Sequence, residues 1–347
     1  MKRKMRGLLP CATTLLIGSA AFAQSTGVTL FGVLDTNVAR YSASGQSSVV
    51  RMGVDGLSSS RWGMRAEEAI AGDLRAGFWL EGGFRTDTGA LGTTNTDNRT
   101  TGNTSGLFGR RATLSLTGPA GELRLGRDFT PVALGGIDFS LYGPTSTGHL
   151  GALSFPVFNS VTHIRISNGI NYLSPVVAGF HAHVAWAPGE NPGNTDGRYL
   201  GGRVTWRSGP LLLGAGTART RYVSGDQTHT LAGARYQLGD LRLMTMYARH
   251  LKSGVDQQAI HLAVAVVTGN LEWRLGGTDT RLKGSDGARQ LMAGVIYNLS
   301  KRAALYADAS QIDNKGKGTT FGIVEGLKPA TPGGKSTGME IGVRHSF

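Results

Sequence analysis

Two histidines in "FHAHVAW", His181 and His183, are spaced i, i+2 and so share one face of an extended segment, with His163 upstream. Three imidazoles on one surface are raw material for a divalent metal site. No carboxylate follows at ligand spacing, however, and imidazoles lining water are the simpler reading, so neither metal nor cofactor is expected. "TSTGHLGALSF" offers Ser146, His149 and Ser154 with Asp138 upstream, the residue types of a hydrolase. Nothing in their spacing orients a base against a nucleophile, and no catalytic residue is assigned. A third set is the arginines of alternating segments. Arg61 shares a face with Gly63, Arg65 and Glu67 opposite Trp62 and Met64; Arg111 shares one with Thr113 and Ser115 opposite Leu114 and Leu116. Arg165 shares one with His163 and Ser167 opposite Ile164 and Ile166. Guanidiniums on the polar faces of otherwise apolar strands attract anions. "NRT" at Asn98 is a chance glycosylation match, and "GAGTAR" lacks the strand, turn and helix context of a phosphate-binding loop.

The elements that position these arginines are strands. In "YLGGRVTWR", Leu200, Gly202, Val204 and Trp206 oppose Tyr199, Arg203, Thr205 and Arg207. "LEWRL", "AIHLAVAVV" and "LMAGVIYNL" alternate in the same way, and helical spacing is sustained nowhere after residue 23. The 53 glycines sit inside these segments and not in tracts. Strands are expected from near Val28, Arg61, Leu74, Phe108, Glu122, His163, Phe180, Tyr199, Leu211, Thr228, Leu241, Gln258, Leu271, Arg289, Arg302 and Thr337. Tight reversals such as "GPAG", "SGP", "LGD" and "TGN" alternate with long polar stretches, which predicts short turns on one end and long loops on the other. Sixteen strands is an even count, so the last can close on the first. The terminal "MEIGVRHSF" alternates up to Phe347, the residue expected to close the barrel.

The first residues indicate the compartment. Lys2, Arg3, Lys4 and Arg6 precede the apolar "LLPCATTLLIGSAAF" and the small residues of "AFA", the pattern of a signal peptide over residues 1–23 cut between Ala23 and Gln24. Cys11 leaves with it, so no disulfide or thiolate chemistry remains. Losing those four cations lowers the formal charge from +13 to +9, which favours anionic solutes or lipid head groups; nucleic acid is not expected outside the cytoplasm. A soluble sandwich also alternates, but sixteen segments, an export signal and loops of unequal length fit a closed membrane barrel better. Trp186, Trp206, Tyr172, Tyr236, Tyr247, Trp273, Tyr297 and Phe347 lie on or near the apolar face, mostly toward strand ends, as an aromatic girdle requires. Barrels of sixteen strands leave a water-filled lumen.

The pieces "GVTLFGVLDTNV", "SSSRWGMRAEE", "LFGRRATLSLTGPAGELRLGRDFTP", "RISNGINYLSP" and "GVRHSF" occur in this order. Together they resemble the trimeric Gram-negative general porins from about Val28 to Phe347. The resemblance implies a 16-stranded antiparallel transmembrane β-barrel over residues 24–347 with an inward-folded constriction loop, a passive diffusion channel of the outer membrane and not an enzyme. It implies a homotrimer whose second long loop, about Arg85 to Gly106, latches a neighbour, and contact with outer-membrane lipid and lipopolysaccharide. Phe347 resembles the signal read by the outer-membrane assembly machinery. The third long loop, Phe129 to Thr162, would narrow the pore; it contains no Lys or Arg and one acid, Asp138. Opposite it the family carries a basic ladder, here assigned to Arg61, Arg111 and Arg165; a lysine frequent on the first strand is replaced by Val33. One carboxylate facing several guanidiniums implies preference for small anionic over cationic solutes. The alternatives are a channel specific for one class of anion, or a barrel that anchors an enzyme or adhesin.

Overall fold

The computed structural model describes residues 27–94, 97–99, 104–142, 146–149, 162–324 and 326–347; the signal peptide, its cleavage site and Ser154 lie outside them. The period-two segments pair in sequence order as β1 (Thr29–Ala43), β2 (Val49–Gly53, resuming at Arg61–Ala71), β3 (Leu74–Gly83), β4 (Arg111–Gly118), β5 (Gly121–Phe129), β6 (Arg165–Leu173), β7 (Phe180–Ala187) and β8 (Tyr199–Ser208). They continue as β9 (Leu211–Thr220), β10 (Gln227–Leu238), β11 (Leu241–Lys252), β12 (Val255–Thr268), β13 (Leu271–Leu282), β14 (Ser285–Asn298), β15 (Ala303–Asn314) and β16 (Lys335–Ser346). Every neighbouring pair is antiparallel. β16 returns to β1 in register from Val33↔Ser346 to Ala43↔Ser336, so the sheet has no edge. Phe347 completes the closure by exchanging two backbone hydrogen bonds with Gly32, at 3.0 and 3.1 Å. Its ring lies where a side chain at position 32 would project, so any larger residue there would have to displace it.

Alternation sorts the side chains. On β1, Val33, Asp35, Asn37, Ala39 and Tyr41 are buried toward the interior, whereas Leu30, Leu34 and Val38 are exposed on the outside. Leu200, Leu243, Leu262, Leu275, Leu291 and Ile341 continue that outer apolar band. A continuous exposed band of this kind fits hydrocarbon as solvent, and closure satisfies the backbone that hydrocarbon cannot. On the long-loop end two connections are nonetheless only two residues, Ser253–Gly254 and Lys283–Gly284. Positive φ at Ser253, Gly254 and Gly284 permits these tight reversals.

Two further features depart from the sequence reading. The second strand is broken: Val49–Gly53 pairs with the upper half of β1 and Arg61–Ala71 with its lower half. Asp35 holds the intervening chain, its carboxylate accepting from the Gly56 and Ser58 amides at 3.0 and 2.8 Å and from the Tyr306 hydroxyl at 2.6 Å. The long loop after β5 is also not structureless, because it begins with helix α1 (Pro131–Asp138). The helix is too short and glycine-rich to show a period, but Thr130 caps it by accepting from the Ala133 amide at 3.2 Å, and Pro131 starts it.

Candidate pore constriction

The described part of the loop after β5 runs inside the barrel. Helix α1 lies on the inner wall of β8–β10, where Phe139 is fully buried against Gly214 and Gly233; a Cβ at Gly233 would stand 2.4 Å from its ring. Beyond the helix the loop is pinned to the opposite wall. Arg274 of β13 donates to the Leu141 carbonyl at 2.9 Å, lies over the Tyr142 ring at 4.7 Å, and holds Asp308 of β15 through two bonds of 2.6 and 2.9 Å. Glu340 of β16 accepts from the Thr147 amide at 3.0 Å, and His149 Nε2 contacts the Ile323 carbonyl at 3.2 Å. Burial pushes the Tyr142 hydroxyl up and the His149 imidazole down, the latter against the pull of its carbonyl partner.

Facing the remaining opening is the wall of β2–β6. Arg61 stands opposite Val33 and Gly83 on the lumenal face, donates to the Ser59 carbonyl at 2.9 Å and lies 3.8 Å from Glu81. Val33, where the resembled family often has lysine, is lumenal and buried. Glu81 is shared: Arg110 Nε reaches it at 2.6 Å and the Trp79 indole N–H donates to it at 3.2 Å. Arg111 is also lumenal, lying over the Trp79 ring at 4.5 Å, with Thr113 Oγ1 at 3.0 Å and Asp128 at 3.6 Å. Arg65 lies over Trp79 as well, at 4.8 Å. Three arginines, Arg61, Arg110 and Arg111, therefore share two carboxylates, Glu81 and Asp128. Asp128 also accepts from Arg124, which Glu122 binds through two bonds.

Sequence reasoning missed Arg110 and misjudged Arg165 and Asp138. Strict alternation sends Arg110 away from Arg111, but β4 begins only at Arg111, so Arg110 is free of the pleat and turns to Glu81. The doublet in "GRRATLSL" was the available signal. At β6 a register shift between Gly126 and Asp128, with Asn168 at φ 58°, resets the pleat. Ile166, paired with Asp128, takes the buried position against the loop, while Arg165 pairs with Phe129. Arg165 stacks on that ring at 4.2 Å and donates to the Arg110 carbonyl at 2.8 Å. Asp138 does not face these arginines: Arg203 Nη1 of β8 binds it at 2.6 Å, because the carboxylate closes α1 against the wall the helix packs on.

His183 bonds Asn171 at 3.1 Å, and among the described residues no three metal ligands converge. Asn98 is buried and exchanges two bonds of 2.8 Å with the Ser167 backbone. The described part of the second loop thus rests on its own barrel, where Arg99 also donates to Asn191 at 2.8 Å.

A family model described as Gram-negative porin matches residues 12–317. The chain belongs to the Gram-negative porins. The porin is 34% identical to outer membrane porin protein 32 of Delftia acidovorans over 99% of this chain and all of that one. It is 26% identical to an outer membrane porin protein of Bordetella pertussis over 97% of this chain and 98% of the relative. Among solved structures it superposes on the anion-selective porin from Comamonas acidovorans with a TM-score of 0.76 at 30% identity, covering 93% of this chain and all of that one. The trimer form of OmpT from Vibrio cholerae, at 17% identity and TM-score 0.65, shares the fold over 93% of this chain and 99% of that one. As a porin the chain forms a diffusion channel in the outer membrane of a Gram-negative bacterium.

Proposed function

We propose that this porin conducts small hydrophilic solutes by passive diffusion with a preference for anions. The carrying observation is the charge balance at the narrowing: Arg61, Arg110 and Arg111, with Arg165 behind Arg110, against Glu81 and Asp128. The loop on the other side adds no counter-charge to that opening, since its Asp138 is bound to Arg203. Excess guanidinium in a confined pore raises the local potential for anions and repels cations. The anion selectivity of the Comamonas acidovorans structure supports the same reading. Assembly as a homotrimer is supported by the trimer described for Vibrio cholerae OmpT. Export by cleavage after Ala23, recognition of Phe347 by the assembly machinery, and contact of the outer apolar band with lipid and lipopolysaccharide complete the proposal. Reversal potential across a planar bilayer under a potassium chloride gradient tests the preference: chloride selectivity is expected, and a potassium-selective potential would contradict it.

A further inference from the structure

The rung that crosses the barrel seam is built around one tyrosine. Tyr306 of β15 pairs with Gly342 of β16, Gly342 with Asn37 of β1, and Asn37 with Gly53 at the end of the first half of β2. Residues of one rung share a face, here the lumenal one. A Cβ at Gly342 would fall on the Tyr306 ring, and one at Gly53 on the Asn37 side chain. The two glycines thus let Tyr306, buried at 4% exposure, lie over β16 and reach β1. There its hydroxyl accepts from Asn37 Nδ2 at 3.3 Å and donates to Asp35 Oδ1 at 2.6 Å. The segment that breaks β2 passes directly over that hydroxyl, where Gly56 leaves no room for a side chain.

From Asp35 the contacts lead on to the constriction. Asp35 Oδ2 accepts from the Ser58 amide at 2.8 Å. Its backbone N–H donates to Ser60 Oγ at 3.0 Å, and its carbonyl accepts from that same hydroxyl at 2.9 Å. Between these two serines, the Ser59 carbonyl accepts from Arg61 Nη1 at 2.9 Å. That tie is closer than the one to Glu81, which stands 3.8 Å from Arg61 and is held at 2.6 Å by Arg110. A guanidinium is a rigid planar fork, so the carbonyl that receives one arm sets where the others point. A buried network with its bonds made holds such a carbonyl still.

We infer that Tyr306 and Asp35 are positioning residues for ion preference: they hold the 54–60 segment so that its Ser59 carbonyl aims the Arg61 guanidinium into the constriction. The control runs across the seam, from β15 over β16 and β1 to β2. It rests on the anion-channel reading above and deepens it, by naming what fixes one of the selecting charges.

The test is a double-mutant cycle on the full-length porin in planar bilayers, read as the chloride-to-potassium permeability ratio under a potassium chloride gradient. Tyr306→Phe keeps the ring over β16 and removes only the hydroxyl. One hydrogen bond fewer loosens the segment, and the ratio should fall by about twofold. In an Arg61→Ser background the same change should leave the ratio where Arg61→Ser alone puts it, because no guanidinium remains to be aimed. Asp35→Asn, which keeps one acceptor oxygen, should behave alike and is read in place of Tyr306→Phe if that variant does not fold. A tyrosine that only braces the seam would lower the melting temperature and move the ratio equally, or not at all, in both backgrounds. A ratio unmoved by the folded variant, or moved as much without Arg61 as with it, would therefore overturn the positioning role. A wild type that prefers potassium would overturn the anion reading alone, since the coupling of Tyr306 to Arg61 is read from the ratio whatever its sign.

Discussion

Arg61 and Arg274 both leave a lumenal wall of the barrel, yet they do opposite things. The Arg274 side chain is 2% exposed and that of its partner Asp308 is 0%; its Nη2 donates to both Asp308 oxygens, Tyr142 roofs the pair, and Nη1 holds a loop carbonyl. The Arg61 side chain is 27% exposed, 3.8 Å from a carboxylate that Arg110 holds more closely. Burial and pairing turn the first arginine into a rivet. Sharing of too few acids leaves the second with charge to spend on solutes. On the proposed function the lumen divides into an anchoring wall at β13–β16 and a selecting wall at β2–β6.

Breaking the anchoring wall should have the largest effect on stability. Arg274→Ala leaves Asp308 buried and uncompensated, at about 3–5 kcal/mol. The measurement is the melting temperature of the folded barrel, together with a rise in single-channel conductance as the loop loses its Leu141 contact. An unchanged conductance would mean that the loop is held elsewhere.

The helix end of the loop is a smaller contribution. Gly233→Val would drive a side chain into Phe139 and cost about 1–3 kcal/mol by overpacking. Thr130→Ala removes the α1 cap, at about 1 kcal/mol. Both should increase current noise more than they change ion preference, since neither touches the selecting wall.

Acid should act most gently, through His149. Burial lowers its pKa from 6.5, so the unfolded or released loop binds the proton more tightly than the docked one. Docking is therefore fully favoured above pH 6.5 and is lost as pH falls through the lowered value. Gating noise should grow with acidification below pH 6.5, and His149→Gln, which cannot titrate, should flatten that dependence.

Much of this division was legible in the sequence, for a physical reason. Period-two alternation is dictated by the pleat, so the strand starts, the closing register at Phe347 and the lumenal faces of Arg61 and Arg111 could be read residue by residue. What escaped is what the pleat does not govern. Arg110 sits just before a strand, Arg165 follows a register shift, and the break in β2 depends on Asp35, some twenty residues upstream. The partners of Asp138 and Glu340 are set by where an irregular loop lands, and no local period encodes that. Composition did show that the loop lacks cations and carries a single acid; it could not show that this acid is already bound by Arg203.

The most direct test compares reversal potentials of the wild type and of Arg61→Ser, Arg110→Ser and Arg111→Ser combined, under the same potassium chloride gradient. A chloride-selective wild type whose selectivity collapses in the combined variant, with the barrel still folded, is the predicted result. Selectivity that survives the loss of all three guanidiniums would contradict the assignment of β2–β6 as the selecting wall.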